Sequence, residues 1–137
     1  MEKLTIKEPI CLECGVQLPA FEIAYKTWGK LNERADNVIW ITHALTANAD
    51  VADWWPGMVG EGLLMDPSEY FVVCANILGS CYGTTGPLSQ NPETGRPWFR
   101  SFPLVSIRDM VKAHEHLRQH LGIRSIHLLI GGSIGGF

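Results

Sequence analysis

The segment Gly131-Gly132-Ser133-Ile134-Gly135-Gly136 sets a serine among glycines directly after the apolar run Ser125 to Ile130. Gly-x-Ser-x-Gly after a buried strand is the pattern of a nucleophile elbow, a turn so tight that the backbone at the serine is strained and side chains on either side have no room. Gly131 and Gly135 then have a steric reason to be glycine, and the Ser133 hydroxyl is pushed out above the sheet, in reach of an acyl carbon. The same residues without catalysis would form one of the glycine-rich turns that follow strands in nucleotide-binding and structural sites.

A serine hydroxyl is a weak nucleophile and needs a histidine base that an acid orients. In elbows of this kind the acid and then the histidine follow the serine along the chain. His43, His114, His116, His120 and His127 all precede Ser133, as do Asp50, Asp53 and Asp109, so none fits either position. The negative oxygen formed during attack requires two amide donors. One is predicted at the backbone N–H of Ile134, and the other at that of Leu45, in the loop His43-Ala44-Leu45-Thr46 after an earlier strand. His43 is read as a hydrogen-bonding partner of that loop rather than as a base.

These groups must be held by a sheet. Pro9 to Trp28 alternates in two runs separated by Gly15-Val16-Gln17, which predicts a hairpin of half-buried strands. Val38-Ile39-Trp40-Ile41-Thr42 and Tyr70-Phe71-Val72-Val73-Cys74-Ala75 are continuously apolar, as strands buried on both faces of a parallel sheet are. A Trp- and Gly-containing stretch between them predicts a short helix and a loop. Ser106 stands as an N-cap with Asp109 three residues on, ahead of a stripe of Ile107, Met110, Val111, His114, Leu117 and Leu121 facing a core; Gly122 ends that helix, and Ser125 to Ile130 returns as a third buried strand. The order predicts an α/β fold whose sheet has an antiparallel edge and a parallel centre.

Composition narrows the class. With 46% hydrophobic and 18% charged residues the chain has the balance of a globular domain. A net charge of -3 and scattered Lys and Arg offer no field for nucleic acid. No apolar run approaches the roughly 20 residues that span a bilayer, and the start lacks a signal-peptide core, so a cytoplasmic protein without a membrane partner is expected. Cys11, Cys14, Cys74 and Cys81 are read as thiols. Cys11-Leu12-Glu13-Cys14 is a lone pair, whereas a structural zinc wants four ligands, so no metal is expected.

Taken together, Ala24-Tyr25-Lys26-Thr27-Trp28-Gly29, His43-Ala44-Leu45-Thr46, Asp53-Trp54-Trp55, Asn76 to Pro87, Ser106-Ile107-Arg108-Asp109-Met110-Val111 and the elbow resemble, in order, successive motifs of the homoserine O-acetyltransferases of the α/β-hydrolase superfamily. The resemblance runs from the hairpin to the last residue, and Leu-Gly-x-Cys-x-Gly-Thr-Thr-Gly-Pro is its most specific part. It implies an α/β-hydrolase fold of which residues 1–137 are the N-terminal portion of a single domain, with the later strands, the lid and the triad Asp and His absent. It further implies ping-pong transfer of the acetyl group of acetyl-CoA, a co-substrate rather than a bound cofactor, through an acyl-Ser133 to the hydroxyl of L-homoserine, feeding methionine synthesis. The complete enzyme would be a cytoplasmic homodimer. Ile134 stands where the family commonly has methionine, a mild departure because the backbone amide is the expected donor.

Under the same resemblance, Trp54-Trp55 either cover the site or pack a core, and Asn76 to Pro87 either borders the site entrance or is scaffold. Alternatives stay open for the donor (succinyl-CoA) and the acceptor (serine), for a general esterase of the same fold, and for a non-catalytic module that binds a partner through an open edge. Ending at Phe137 is expected to leave Ser125 to Ile130 as an exposed apolar edge, with poor folding and no transferase activity from the 137 residues alone.

Overall fold

Seven strands and two α-helices follow one another along residues 1–137, all of which the computed structural model describes. They are β1 (Glu2–Ile6), β2 (Ile10–Cys11), β3 (Gln17–Leu18), β4 (Phe21–Trp28), β5 (Val38–Thr42), α1 (Val51–Trp54), β6 (Phe71–Ala75), α2 (Ile107–His120) and β7 (Ile126–Gly131). Five strands form one sheet in the order β1-β4-β6-β5-β7. The β1/β4 and β4/β6 pairs are antiparallel, whereas β5 runs parallel to β6 and to β7, so the antiparallel edge and parallel centre are present.

The hairpin differs from its expected form. Ile10–Cys11 pairs only with Gln17–Leu18, in a separate two-stranded ladder. β4 instead takes β1, with Leu4 opposite Ile23 and Ile6 opposite Phe21. Phe21, Ile23 and Tyr25 need apolar neighbours along a long strand, and β1 supplies a five-residue register that the two-residue β2, started by Pro9 and soon stopped by the Gly15 turn, cannot.

Strand alternation assigns the two faces. Val38 and Trp40 of β5 join Phe71, Val73 and Ala75 of β6 in a core that includes Ala113 and Leu117 of α2 and Leu12 and Leu18 of the small ladder. Ile39, Ile41, Val72 and Cys74 point the other way, against Val51 of α1, Ala49 and Met65. Both central strands are therefore buried on both faces, which is why they lack polar alternation. β7 pairs with β5 alone. Its outer side is open and Leu129 is 63% exposed, so the third strand forms the exposed apolar edge expected of residues 1–137.

Helix α2 begins as expected, with Ser106 and Asp109 exchanging both bonds of a capping box, and Gly122 follows it at φ 69°. Its inward stripe is Met110, Ala113, Leu117 and Leu121; Val111 points to solvent, one position away from that face. Asp109 does more than cap. Its carboxylate is fully buried and also accepts the Glu13 N–H at 3.0 and 3.3 Å, tying the small ladder to the start of the helix. Burial pushes the Asp109 carboxyl up, but the bonds from the Ser106 and Glu13 amides, the Ser106 hydroxyl and nearby Lys112 outweigh it and hold it below its ordinary value.

Asp109→Asn leaves one acceptor oxygen for these donors and is expected to lower unfolding stability at neutral pH by about 1–3 kcal/mol, read by urea titration. Because the folded-state pKa is depressed, the contribution is full above the ordinary carboxylate range and is lost as pH falls through the folded value. The gap between the variant and the parent should therefore close in acid; a gap that persists unchanged there contradicts the assignment.

Candidate active site

The connections before and after β6 cross opposite faces of the sheet, and the strand order reverses between them. From β5 to β6 the chain passes over the face packed by α1, and from β6 to β7 over the face packed by α2, while β5 sits between β6 and β7. Such a reversal opens a crevice at the carboxyl ends of the strands, the place where ligands bind in open α/β sheets. Two segments meet at its rim: the loop after β5, which carries His43 to Thr46, and the turn after β7, which carries Ser133.

Gly132 is extended (φ -130°, ψ 149°), Ser133 lies in the left-handed region at φ 58°, and Ser133–Gly136 closes a 3-10 turn in which the Gly135 N–H donates to the Gly132 carbonyl at 3.1 Å. A residue with a side chain held at such a φ costs on the order of 1–3 kcal/mol, and strain of this kind gathers at active sites. The flanking glycines are not equivalent. A Cβ at Gly131 would strike the Thr42 hydroxyl and the Gly135 carbonyl, and one at Gly135 would strike the Thr42 and His43 carbonyls. Gly132 faces open space in a conformation that any residue adopts, so of the three glycines read as the elbow only Gly131 and Gly135 are required sterically. Ser133 is exposed, and its hydroxyl makes no hydrogen bond; no histidine of the chain is bonded to it.

The N–H groups of Leu45 and Ile134 have no partner within the protein, so both are free to donate to a bound oxyanion. Ala44 and Thr46 are equally unpaired, and the freedom thus belongs to the loop rather than to Leu45 alone. What holds the loop is buried and polar. His43 is fully buried, with Nδ1 2.7 Å from the Ala44 carbonyl and Nε2 accepting the Ile77 N–H at 3.4 Å, which uses both nitrogens of a neutral ring. Burial pushes its pKa down against the opposing bond to Ala44. With no free nitrogen, His43 acts as a strut of the loop.

Asn76, which follows β6 and is fully buried, was not singled out by sequence reasoning. Its side-chain oxygen accepts the Ala49 N–H at 2.7 Å, its side-chain nitrogen donates to the Tyr82 carbonyl at 2.7 Å, and its own carbonyl receives the Thr84 hydroxyl at 2.8 Å and His114 Nε2 at 3.3 Å. His114 is held down to about 4 by burial, with His43 adding to the effect, despite its bond to that carbonyl. The Asn76 to Pro87 loop also completes the sheet. Beyond the end of β6, Thr84 and Thr85 hydroxyls accept the Ala24 and Glu22 amides at 2.9 and 2.8 Å, and the Thr85 N–H returns to Glu22. The two threonines stand in for a missing stretch of strand, which favours the scaffold reading of that motif. Trp54 and Trp55 stack at 5.5 Å, Trp54 donates to the Asn48 carbonyl at 2.8 Å, and both pack on the α1-side core. Both are half-buried, so packing accounts for one side of each ring. Cys11 and Cys14 are exposed thiols, burial pushes Cys74 up to about 12, and no group of three or more His, Cys, Asp or Glu side chains is assembled. No helix is long and apolar enough to cross a membrane.

With its elbow at a topological switch point, the chain belongs to the α/β hydrolase fold family, whose pattern matches residues 37–137. Within that family its sequence is similar to homoserine O-acetyltransferases: the enzyme of that name from Chlorobium luteolum is 56% identical over 129 residues. That match covers 94% of this chain but 36% of the relative, so the chain spans little more than a third of the relative's length. Among solved structures, the homoserine O-acetyltransferase from Bacillus anthracis superposes with a TM-score of 0.90 at 31% identity, over 98% of this chain and 40% of that one. Esterase E22 does so with 0.85 at 30% identity, over 98% and 41%.

The glycine geometry separates two substitutions. Gly135→Ala drives a methyl into backbone oxygens that cannot retreat and is expected to cost about 1–3 kcal/mol or more of stability, whereas Gly132→Ala should stay within about 0.5 kcal/mol. Thermal unfolding of the two variants side by side checks this; equal losses would mean that the turn is not packed as described.

Proposed function

We propose that these residues are the N-terminal portion of the single catalytic domain of a homoserine O-acetyltransferase. Ser133 is its nucleophile, and the Leu45 and Ile134 amides are its oxyanion donors. The observation that carries the reading is the exposed Ser133, strained at φ 58° between two glycines that nothing larger can replace, at the crevice where the β5 loop presents unpaired amides.

In the reaction, Ser133 Oγ bonds to the thioester carbon of acetyl-CoA, its proton passes to a histidine base outside the 137 residues, and the carbon–sulfur bond breaks to release the thiol of CoA, which takes a proton. The hydroxyl of L-homoserine then attacks the acetyl-Ser133 ester, giving O-acetyl-L-homoserine and restoring the serine. No bound cofactor is needed, since acetyl-CoA arrives and leaves as a co-substrate. The complete enzyme is proposed to be a cytoplasmic homodimer that works on small molecules, without nucleic-acid or membrane partners.

A second reading, hydrolysis of simple esters, is favoured by one observation: esterase E22 fits the same 98% of the chain nearly as well as the acetyltransferase does. Sequence identity weighs the other way, 56% to a named acetyltransferase against 30% to the esterase.

In the full-length protein, incubation with acetyl-CoA alone should leave an acetyl group on the Ser133 peptide, seen by mass spectrometry, and added homoserine should remove it with formation of O-acetylhomoserine. Ser133→Ala should lower turnover by on the order of a millionfold. Succinyl-CoA, serine and a simple ester run as parallel substrates; faster ester hydrolysis than acetyl transfer would select the esterase. The 137 residues alone should show no acetylation of homoserine.

A further inference from the structure

The oxyanion donors come from segments about ninety residues apart, and their spacing must hold to roughly half an ångström for both to reach one oxygen. Little in the backbone holds it. The β5/β7 ladder ends at the Thr42 and Gly131 pair, and no backbone hydrogen bond joins residues 43–47 to the turn at 132–137. One side chain crosses the gap. The Thr42 hydroxyl lies 2.5 Å from the Gly135 carbonyl and 3.3 Å from the Ile130 carbonyl, so it sits inside the bend, between the limb that enters it and the limb that leaves it.

From this geometry we infer that Thr42 is a positioning residue, whose hydroxyl sets the distance between the Leu45 and Ile134 amides by bonding the Gly135 carbonyl. The inference rests on the reading of Ser133 as nucleophile and of those amides as its oxyanion hole. A hydroxyl carries one hydrogen, and the shorter contact takes it, so the donated bond falls on the residue directly after the one whose amide faces the site. Three residues before Leu45, the same Thr42 is also the end of a buried strand whose register is set by both neighbours. β-Branching limits its χ1, so the hydroxyl has few other directions to point. The Thr42 and His43 carbonyls meanwhile bear on the bare Cα of Gly135. Contact stops the turn from moving closer, and the hydroxyl bond stops it from moving away.

The test uses the full-length enzyme with Thr42 changed to Val, Ala and Ser, and Ser133→Ala as baseline. Val and Ala both lack the donor, and Ala, which only removes atoms, separates loss of the bond from crowding by a methyl. Both should lose at least about tenfold in kcat for acetyl transfer, with KM for acetyl-CoA within about threefold, because a displaced donor costs transition-state rather than ground-state binding. Phosphonylation of Ser133 by a fluorophosphonate, which also builds charge on an oxygen in that hole, should slow by a similar factor. Thr42→Ser should recover most of the kcat. A loss under tenfold in Ala, a Ser variant as slow as Ala, or an effect confined to KM would overturn the assignment of Thr42. Acetyl transfer surviving in Ser133→Ala would overturn the nucleophile reading itself, whereas an inactive Ser133→Ala with unimpaired Thr42 variants would remove Thr42 alone.

Discussion

Two pieces of backbone approach closely at the end of the sheet: the turn after β7 rests on the last residues of β5, with no space for a Cβ at Gly131 or Gly135. Much else follows from that contact. A serine at φ 58° persists only where its surroundings over-determine it, and the Thr42 and His43 carbonyls do so on one side while the Thr42 hydroxyl does so on the other. The contact in turn requires β5 and β7 to be neighbours in register, so that Thr42 falls opposite Gly131. That register is set by side-chain size, since a slip of one residue would turn Trp40 into the core that now holds Ile39 and Ile41.

A second constraint is polar and lies one layer down. The loop after β5 leaves the sheet with few backbone partners, and buried side chains replace them: His43 reaches Ala44 and Ile77, while Asn76 reaches Ala49, Tyr82 and, through its carbonyl, Thr84 and His114. An unmade bond at the fully buried His43 or Asn76 side chain would leave a polar group without water or partner, which favours this one arrangement of the network. His43 and His114 are both pushed toward the neutral form by burial, so the arrangement does not depend on a charge that titrates near neutrality.

The strands, the capped helix and the elbow were legible because each depends on local pattern: apolar runs, Ser106 with Asp109, glycine at fixed offsets around Ser133. Features that needed a distant partner were not. β1 shows no run that announces itself, and its role appears only when Leu4 and Ile6 meet Ile23 and Phe21. β7 has the composition of a strand that can be buried on both faces, while its exposure here is decided by its having β5 as its one neighbour. Val111, included in the apolar stripe, faces solvent, and the small Ala113 takes the inward position that the angle around the helix selects. Thr42 closes an apolar run and Asn76 opens the Asn76 to Pro87 motif, and nothing in their spacing points to partners more than twenty-five positions away.

The Thr84-Thr85 pair gives the most specific motif of the chain a structural task. Its hydroxyls fill amide positions that β6 is too short to reach, a task set by strand lengths rather than by chemistry at Ser133. That fits the structural comparisons, in which an esterase and an acetyltransferase match the same portion of the chain almost equally. Both chemistries begin with the same event, attack by a serine on an acyl carbon and stabilisation of the resulting oxyanion. The elbow and the loop after β5 offer the exposed hydroxyl and the unpaired amides that such an event would use.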